Sequence, residues 1–223
     1  LMHPCKWALS RYFLTEDECD DIIELAERMK RQRGSLHDYE NSVHKDSRLC
    51  DVIWFTEHNA EKAGIVDEVG KIYQIVDQQF NGVKQIMKLD HWIIDDRENF
   101  QYTEYTKKGE WYDWHIDCHR EPYPELDENG NPHRWAGKVR KMSMSIFLND
   151  PSEWTGGYFE IENTYDRPPS EPYMRINRYG PGIADCKKGN AIIFSSDCYH
   201  RVSKLETGNR KSLVCWFVGP PFV

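Results

Sequence analysis

The stretch WYDWHIDCHRE, Trp111 to Glu121, carries two histidines and an aspartate within five positions, and the geometry it adopts decides the rest of the fold. On a helix, His115 and His119 would lie one turn apart, the spacing of the H-E-x-x-H zinc proteases. The central glutamate of that motif is missing here, and Pro122 follows too closely for a helix to continue. Trp111, Tyr112 and Trp114 are residue types that favour strands. A strand turns His115 and Asp117 to one face and Ile116 and Cys118 to the other, with His119 at the strand exit facing solvent.

An H-x-D triplet by itself is a weak signal, so a third ligand has to come from elsewhere in the chain. Residues 189–217, GNAIIFSSDCYHRVSKLETGNRKSLVCWF, read as a strand, a turn, His200 at the start of the next strand, and Arg210 on the strand after that. Two histidines and one carboxylate make a facial triad of the kind that suits non-haem Fe(II). Such a set leaves one octahedral face open, with room for a bidentate co-substrate and dioxygen.

Around this pair of segments the chain changes texture. FLTEDECDDIIELAERMKRQRG, residues 13–34, predicts a helix capped by Thr15, with Glu18 completing a capping box and Gly34 following its basic end. SRLCDVIWF, residues 47–55, predicts a buried strand. The spacing of Ile65, Val69, Ile72, Val76 and Phe80 predicts a second helix over 57–80, ended by Asn81-Gly82. Short β-like runs then follow at 88–95, 100–106, 111–117, 138–149, 156–162, 189–196, 200–206 and 210–219. Strands after a helical beginning suggest an α+β fold, a sandwich or barrel with helices packed outside. Two long polar segments, about 118–137 and 163–182, read as lids or binding loops. No linker, repeat or low-complexity tract divides the chain, so a single domain over 1–223 is expected, with a helical support region over about 1–90 and a strand core over about 91–223.

Composition narrows the partners. A formal net charge of -8 and the lack of a Lys/Arg block argue against a nucleic-acid surface. Seven cysteines without a C-x-x-C pair fit a reduced compartment, and Cys118 and Cys198 read as bystanders beside the ligands. No window approaches about 18 apolar residues and no signal-peptide pattern is present, so a soluble, cytoplasmic protein with no membrane partner is expected.

The motifs taken together resemble the Fe(II)/2-oxoglutarate-dependent dioxygenases of the prolyl 4-hydroxylase type. QYTEYTKKGEWYDWHID, residues 101–117, is similar to that family's Y-x-x-x-G-x-x-Y-x-x-H-x-D segment through Tyr105, Gly109, Tyr112, His115 and Asp117. FLTEDECDDII resembles the N-terminal helix, SIFLND with Gly156-Gly157 the central hairpin, and GNAIIF with His200-Arg201-Val202 and Gly208-x-Arg210 the C-terminal strands. The resemblance covers nearly the whole chain in order, and implies a double-stranded β-helix core (jelly-roll or cupin-like) flanked by N-terminal helices.

It also implies roles. His115, Asp117 and His200 would hold Fe(II), and 2-oxoglutarate would chelate the metal. Arg210 would grip the distal carboxylate of the co-substrate, because a buried carboxylate needs a cation and guanidinium can bind it through two nitrogens. Ser212 on the same strand face, Tyr105, and Trp216 would complete the co-substrate site, with Gln101 and Thr103 sharing the face of Tyr105. Where relatives carry a second tyrosine against that carboxylate this chain has Phe147, and Ser143 and Ser145 could compensate. The implied reaction consumes dioxygen, decarboxylates 2-oxoglutarate to succinate and hydroxylates a C–H bond, with ascorbate as reductant. Asp117 favours hydroxylation, since related halogenases carry a small residue there.

The implied substrate is a prolyl residue in a peptide or protein. The alternatives are a small molecule such as a free amino acid, a non-catalytic 2-oxoglutarate or metal-binding jelly roll, and a zinc hydrolase using the same ligands. The DNA-repair oxygenases are disfavoured, because their Arg-x-Asn-x-x-x-x-x-Arg ending has no counterpart in GNRKSLVCW.

Overall fold

Thr15 opens the first helix as its sequence predicts: Thr15 Oγ1 accepts from the Glu18 amide at 3.2 Å, and Glu18 Oε2 accepts from the Thr15 amide at 2.8 Å. The computed structural model describes residues 7–33, 48–89, 92–118, 121–163 and 176–222. In chain order the elements are β1 (Trp7–Ser10), α1 (Glu16–Glu27), β2 (Gln32–Arg33), β3 (Arg48–Leu49), β4 (Asp51–Trp54), α2 (Glu57–Ala63), α3 (Val66–Ile86), β5 (Asp96–Arg97), β6 (Gln101–Tyr105), β7 (Trp111–His115) and β8 (Val139–Phe147). After a short 3-10 turn (Pro151–Glu153) come β9 (Trp154–Gly156), β10 (Phe159–Glu162), β11 (Ile176–Tyr179), β12 (Ala191–Ser195), β13 (His200–Val202), β14 (Leu205–Gly208) and β15 (Arg210–Gly219).

The strands form two sheets and a ribbon, all antiparallel. The larger sheet runs β1-β12-β8-β15-β6-β4-β2, with β5 also on β15; the smaller runs β11-β10-β13-β7-β3; β14 and β9 pair separately. Period-two alternation sorts the larger sheet's side chains. Met142, Met144 and Ile146 of β8, with Leu213, Cys215 and Phe217 of β15, join the core shared with α1 and α3. Ser143, Ser145 and Phe147, with Arg210, Ser212, Val214 and Trp216, alternate with them on the opposite face of the sheet. Phe147 there packs with Phe159 and Ile161 of β10, in the smaller sheet, and with Phe194 of β12 in the second core. This is the double-stranded β-helix core with helices on one side. No described helix is long and apolar enough to cross a membrane.

Several sequence expectations change. The helix predicted over 57–80 is two helices, because Gly64 takes φ 67 and caps α2 in the left-handed region. Asn81-Gly82 does not end α3, since Val83 and Met87 continue the face packed on the core. The run 88–95 forms no strand among its described residues: Leu89 and Trp92, three apart, are both buried, and only β5 beyond them pairs. The run 200–206 splits at Ser203-Lys204, and β14 leaves the smaller sheet to pair with β9. Gly156 makes that crossing possible, because at φ 67 a Cβ there would lie 2.4 Å from the Lys204 carbonyl oxygen.

The first polar segment is anchored to the body of the protein. Tyr123 stacks on His133 at 4.8 Å, and Trp135 Nε1 donates to the Arg97 carbonyl at 3.1 Å. The second contributes β11, which pairs with β10 along Glu160 and Arg178. Residues 164–175 of it, and His119, lie outside the described residues. Cys198 is disulfide-bonded and so is not a free thiol, whereas among the described residues Cys19, Cys50, Cys118, Cys186 and Cys215 are free.

Candidate active site

His115 ends β7 and His200 begins β13, and the two residues are direct partners across the smaller sheet. Between this pair and the next, Val202 opposite Tyr112, β7 carries one more residue than β13. This bulge turns Tyr112 and His115 to the same side, where their rings stack at 3.7 Å. The chain leaves the strand after His115, and the amides of Asp117 and Cys118 both donate to the Ser196 carbonyl at 2.9 Å. Asp117 therefore reaches the site from beyond the strand and not by alternation along it.

The three side chains converge, with ligand atoms all within 4.8 Å of one another. His115 Nε2 lies 3.5 Å from Asp117 Oδ1, and His200 Nε2 lies 3.6 Å from Asp117 Oδ2. His115 Nδ1 is 2.7 Å from the Asp113 carbonyl and His200 Nδ1 is 3.0 Å from the Cys198 carbonyl. A carbonyl only accepts, so each Nδ1 carries the proton and each Nε2 presents a lone pair. Burial alone would raise the pKa of Asp117, but the His200 and His115 imidazoles outweigh it and hold the carboxyl well below the usual range. Burial, reinforced by His115, pushes His200 down to about 4. At neutral pH the site therefore offers the Asp117 carboxylate beside a neutral His200 imidazole, protonation states a divalent metal needs.

These residues line a pocket with about 440 Å³ of atom-free space that draws on both sheets. The other sequence-predicted residues meet there: Arg210, Ser212, Tyr105, Trp216, Gln101 and Thr103 all line it. Arg210 is 1% exposed and donates to Ser212 Oγ at 3.1 Å, yet its Nε and Nη2 have no partner. Burial lowers its pKa, and two aromatic rings flank it: its Cζ lies 5.4 Å from the Tyr105 ring and 5.7 Å from that of Phe147. The Trp216 Nε1 is likewise buried without a partner. Of the two serines proposed to offset Phe147, Ser145 lines the pocket, whereas the Ser143 hydroxyl is engaged with Ser196 at 2.9 Å.

Sequence reasoning assigned no role to Arg48 and Tyr112, both in this lining. Tyr112 was visible as part of the Y-x-x-H-x-D spacing. Arg48 had no local signal, because it reaches Gln101 and Thr103 from a different sheet.

A family model described as the 2OG-Fe(II) oxygenase superfamily matches residues 100–218, more than half of the chain and all the residues just described except Arg48. The chain belongs to this superfamily. A PKHD-type hydroxylase of Psychrobacter sp. (strain PRwf-1) is 23% identical over 108 residues, 48% of this chain and 33% of the relative, so the match spans about a third of that relative's length. A prolyl-4-hydroxylase from Pseudomonas putida has a similar fold, with a TM-score of 0.57 at 18% identity over 95% of this chain and 91% of that one. A prolyl hydroxylase from Trichoplax adhaerens, solved with a hypoxia inducible factor peptide fragment, gives 0.60 at 14% identity over 95% and 82%.

The superfamily's metal and co-substrate, Fe(II) and 2-oxoglutarate, fit the side chains of this pocket. Two imidazoles and a carboxylate are the donor types that non-haem iron takes, and the unpaired nitrogens of Arg210 supply what a buried carboxylate requires.

Proposed function

We propose that this chain is an Fe(II)- and 2-oxoglutarate-dependent dioxygenase that hydroxylates a C–H bond, in its leading form on a prolyl residue of a peptide or protein, with decarboxylation of 2-oxoglutarate to succinate. The observation that carries the reading is the pairing, in one pocket, of the His115, Asp117 and His200 donor set with a buried guanidinium that has no anion. When bound, the ferrous ion and 2-oxoglutarate supply the activation of dioxygen.

His115, Asp117 and His200 hold the metal, each histidine oriented by its Nδ1 hydrogen bond. Arg210 receives the distal carboxylate of the co-substrate, with the Ser212 hydroxyl orienting the guanidinium and able to turn toward the same anion. Tyr105 packs beside Arg210 and closes that end of the pocket. Phe147 adds an apolar wall where relatives place a hydroxyl, so the carboxylate relies on Arg210 with Ser145 and Ser212. Trp216, held between Trp54 at 5.9 Å and Arg140 at 4.2 Å, has a free Nε1–H for the bound acid or for substrate. Phe159, Phe194, Val202 and Val214 exclude water from the reacting atoms. Ascorbate would serve as external reductant.

Incubation with Fe(II), ascorbate and 2-oxoglutarate should yield succinate, and mass spectrometry of a panel of proline-containing peptides and free amino acids should reveal a +16 product. Succinate that does not depend on iron, or no 2-oxoglutarate binding, overturns the reading.

A further inference from the structure

Arg48 is a second cation in the same pocket, and nothing proposed so far uses it. It is partly buried at the start of β3, beside β7, and its Nη2 donates to Gln101 Oε1 at 2.6 Å and to Thr103 Oγ1 at 3.5 Å. Its Nε donates to Cys50 Sγ at 3.1 Å. These partners are neutral, and among the described residues no carboxylate lies within ion-pairing distance of it. The buried cation Arg140, by contrast, is held by Glu98 through two contacts of 2.6 Å. An arginine left with only neutral partners inside a pocket is costly unless an anion arrives.

The position of Arg48 says where that anion sits. Its Cζ lies 4.7 Å from the centre of the Tyr112 ring, and Tyr112 stacks directly on His115. A group received by Arg48 is therefore one aromatic ring away from a metal ligand. Charge points the same way. A divalent ion, Asp117, the dianionic co-substrate and Arg210 together are neutral, so Arg48 is the uncompensated charge of the loaded site.

We propose that Arg48 selects the substrate by receiving a carboxylate close to the carbon that reacts. The inference rests on the oxygenase reading above and deepens it: the substrate is acidic near its reacting carbon. The carboxylate belongs either to an acidic side chain beside the modified residue or to a free α-carboxyl, as in a C-terminal residue or a small amino-acid derivative.

The test uses the full chain loaded with Mn(II) in place of iron and with 2-oxoglutarate, followed by calorimetric titration. The probes are N-acetyl proline, leucine, lysine and aspartate, each against its primary amide, and acetyl-prolyl-glutamate amide against acetyl-prolyl-glutamine amide. At least one acid should bind about 10-fold or more tighter than its uncharged partner, the scale of a charge-assisted hydrogen bond. The first set reports a free carboxyl and the second an acidic side chain. Arg48→Gln should erase the preference while the amide still binds, and Arg48→Lys should restore part of it. Packing of Arg48 on Tyr112 alone would not move that ratio. A wild-type protein that binds no acid, or binds acid and amide equally, overturns the proposal. So does an Arg48→Gln variant whose lost affinity is for 2-oxoglutarate itself. Absence of 2-oxoglutarate binding to the wild type, measured first, would instead overturn the oxygenase reading.

Discussion

Tyr112 and His115 stack with ring centroids 3.7 Å apart and planes 18° from parallel, although they are three positions apart on one strand. Regular alternation puts such residues on opposite faces. The extra residue of β7 opposite His200 and Val202 absorbs the mismatch, so that an aromatic ring supports the face of the His115 imidazole.

Tyr112→Ala removes that support. Metal affinity should fall by about 10-fold, the lower end of losses from removing groups that orient a ligand, while the fold is retained. Titration with Mn(II) measures the affinity and circular dichroism the fold. Unchanged affinity would mean that the Asp113 carbonyl alone orients His115.

Asp117→Ala should remove metal binding and with it hydroxylation. Because the folded state alone assembles the three donors, a metal at 100 times its Kd should stabilise the wild type by about 2.7 kcal/mol. Thermal unfolding with metal and then with a chelator reads this directly. The variant should show no response to either.

Arg210→Leu separates the two halves of the pocket. Affinity for 2-oxoglutarate should drop roughly 100-fold or more, the scale of two charge-assisted hydrogen bonds, while Mn(II) affinity is preserved. The variant should be at least as stable as the wild type without ligand, because it removes a buried guanidinium with two unpaired nitrogens. A clear fall in Tm would show that Arg210 supports the fold by itself.

Gly156→Ala tests the crossing between the smaller sheet and the β9–β14 ribbon. The added Cβ would meet the Lys204 carbonyl at 2.4 Å with φ at 67, and a loss of about 2 kcal/mol or more is expected from the strained backbone. Urea unfolding gives the value.

Much of the architecture can be read along the chain because it depends on short-range rules. The Thr15–Glu18 capping box is a four-residue pattern, and the serines and methionines of Met142 to Ile146 alternate as a two-faced strand must. Arg210 stood out because it is a charged residue opening a strand, RKSLVCWFVG, on the face that otherwise carries Ser212, Val214 and Trp216. The division at Gly64 escaped, since the apolar spacing of Ile65 to Phe80 runs up to it without a break. Strand β11 escaped as well, because its pairing with β10 supplies the order that its polar sequence does not.

For the site itself, sequence named the candidate donors, His115 and Asp117 two apart and His200 on a later strand, with Arg210 beyond them as a candidate anchor. Chemistry restricts metal donors and carboxylate anchors to a few residue types, so spacing singled out candidates and the resemblance to the prolyl 4-hydroxylase type gave them roles. Tertiary structure decided which neighbours those groups have. The bulge that turns Tyr112 onto His115 depends on the register with β13, and the contact of Arg48 with Gln101 joins residues 53 apart in sequence. Sheet pairing creates such contacts between distant segments, and a periodic pattern within one segment carries no record of them.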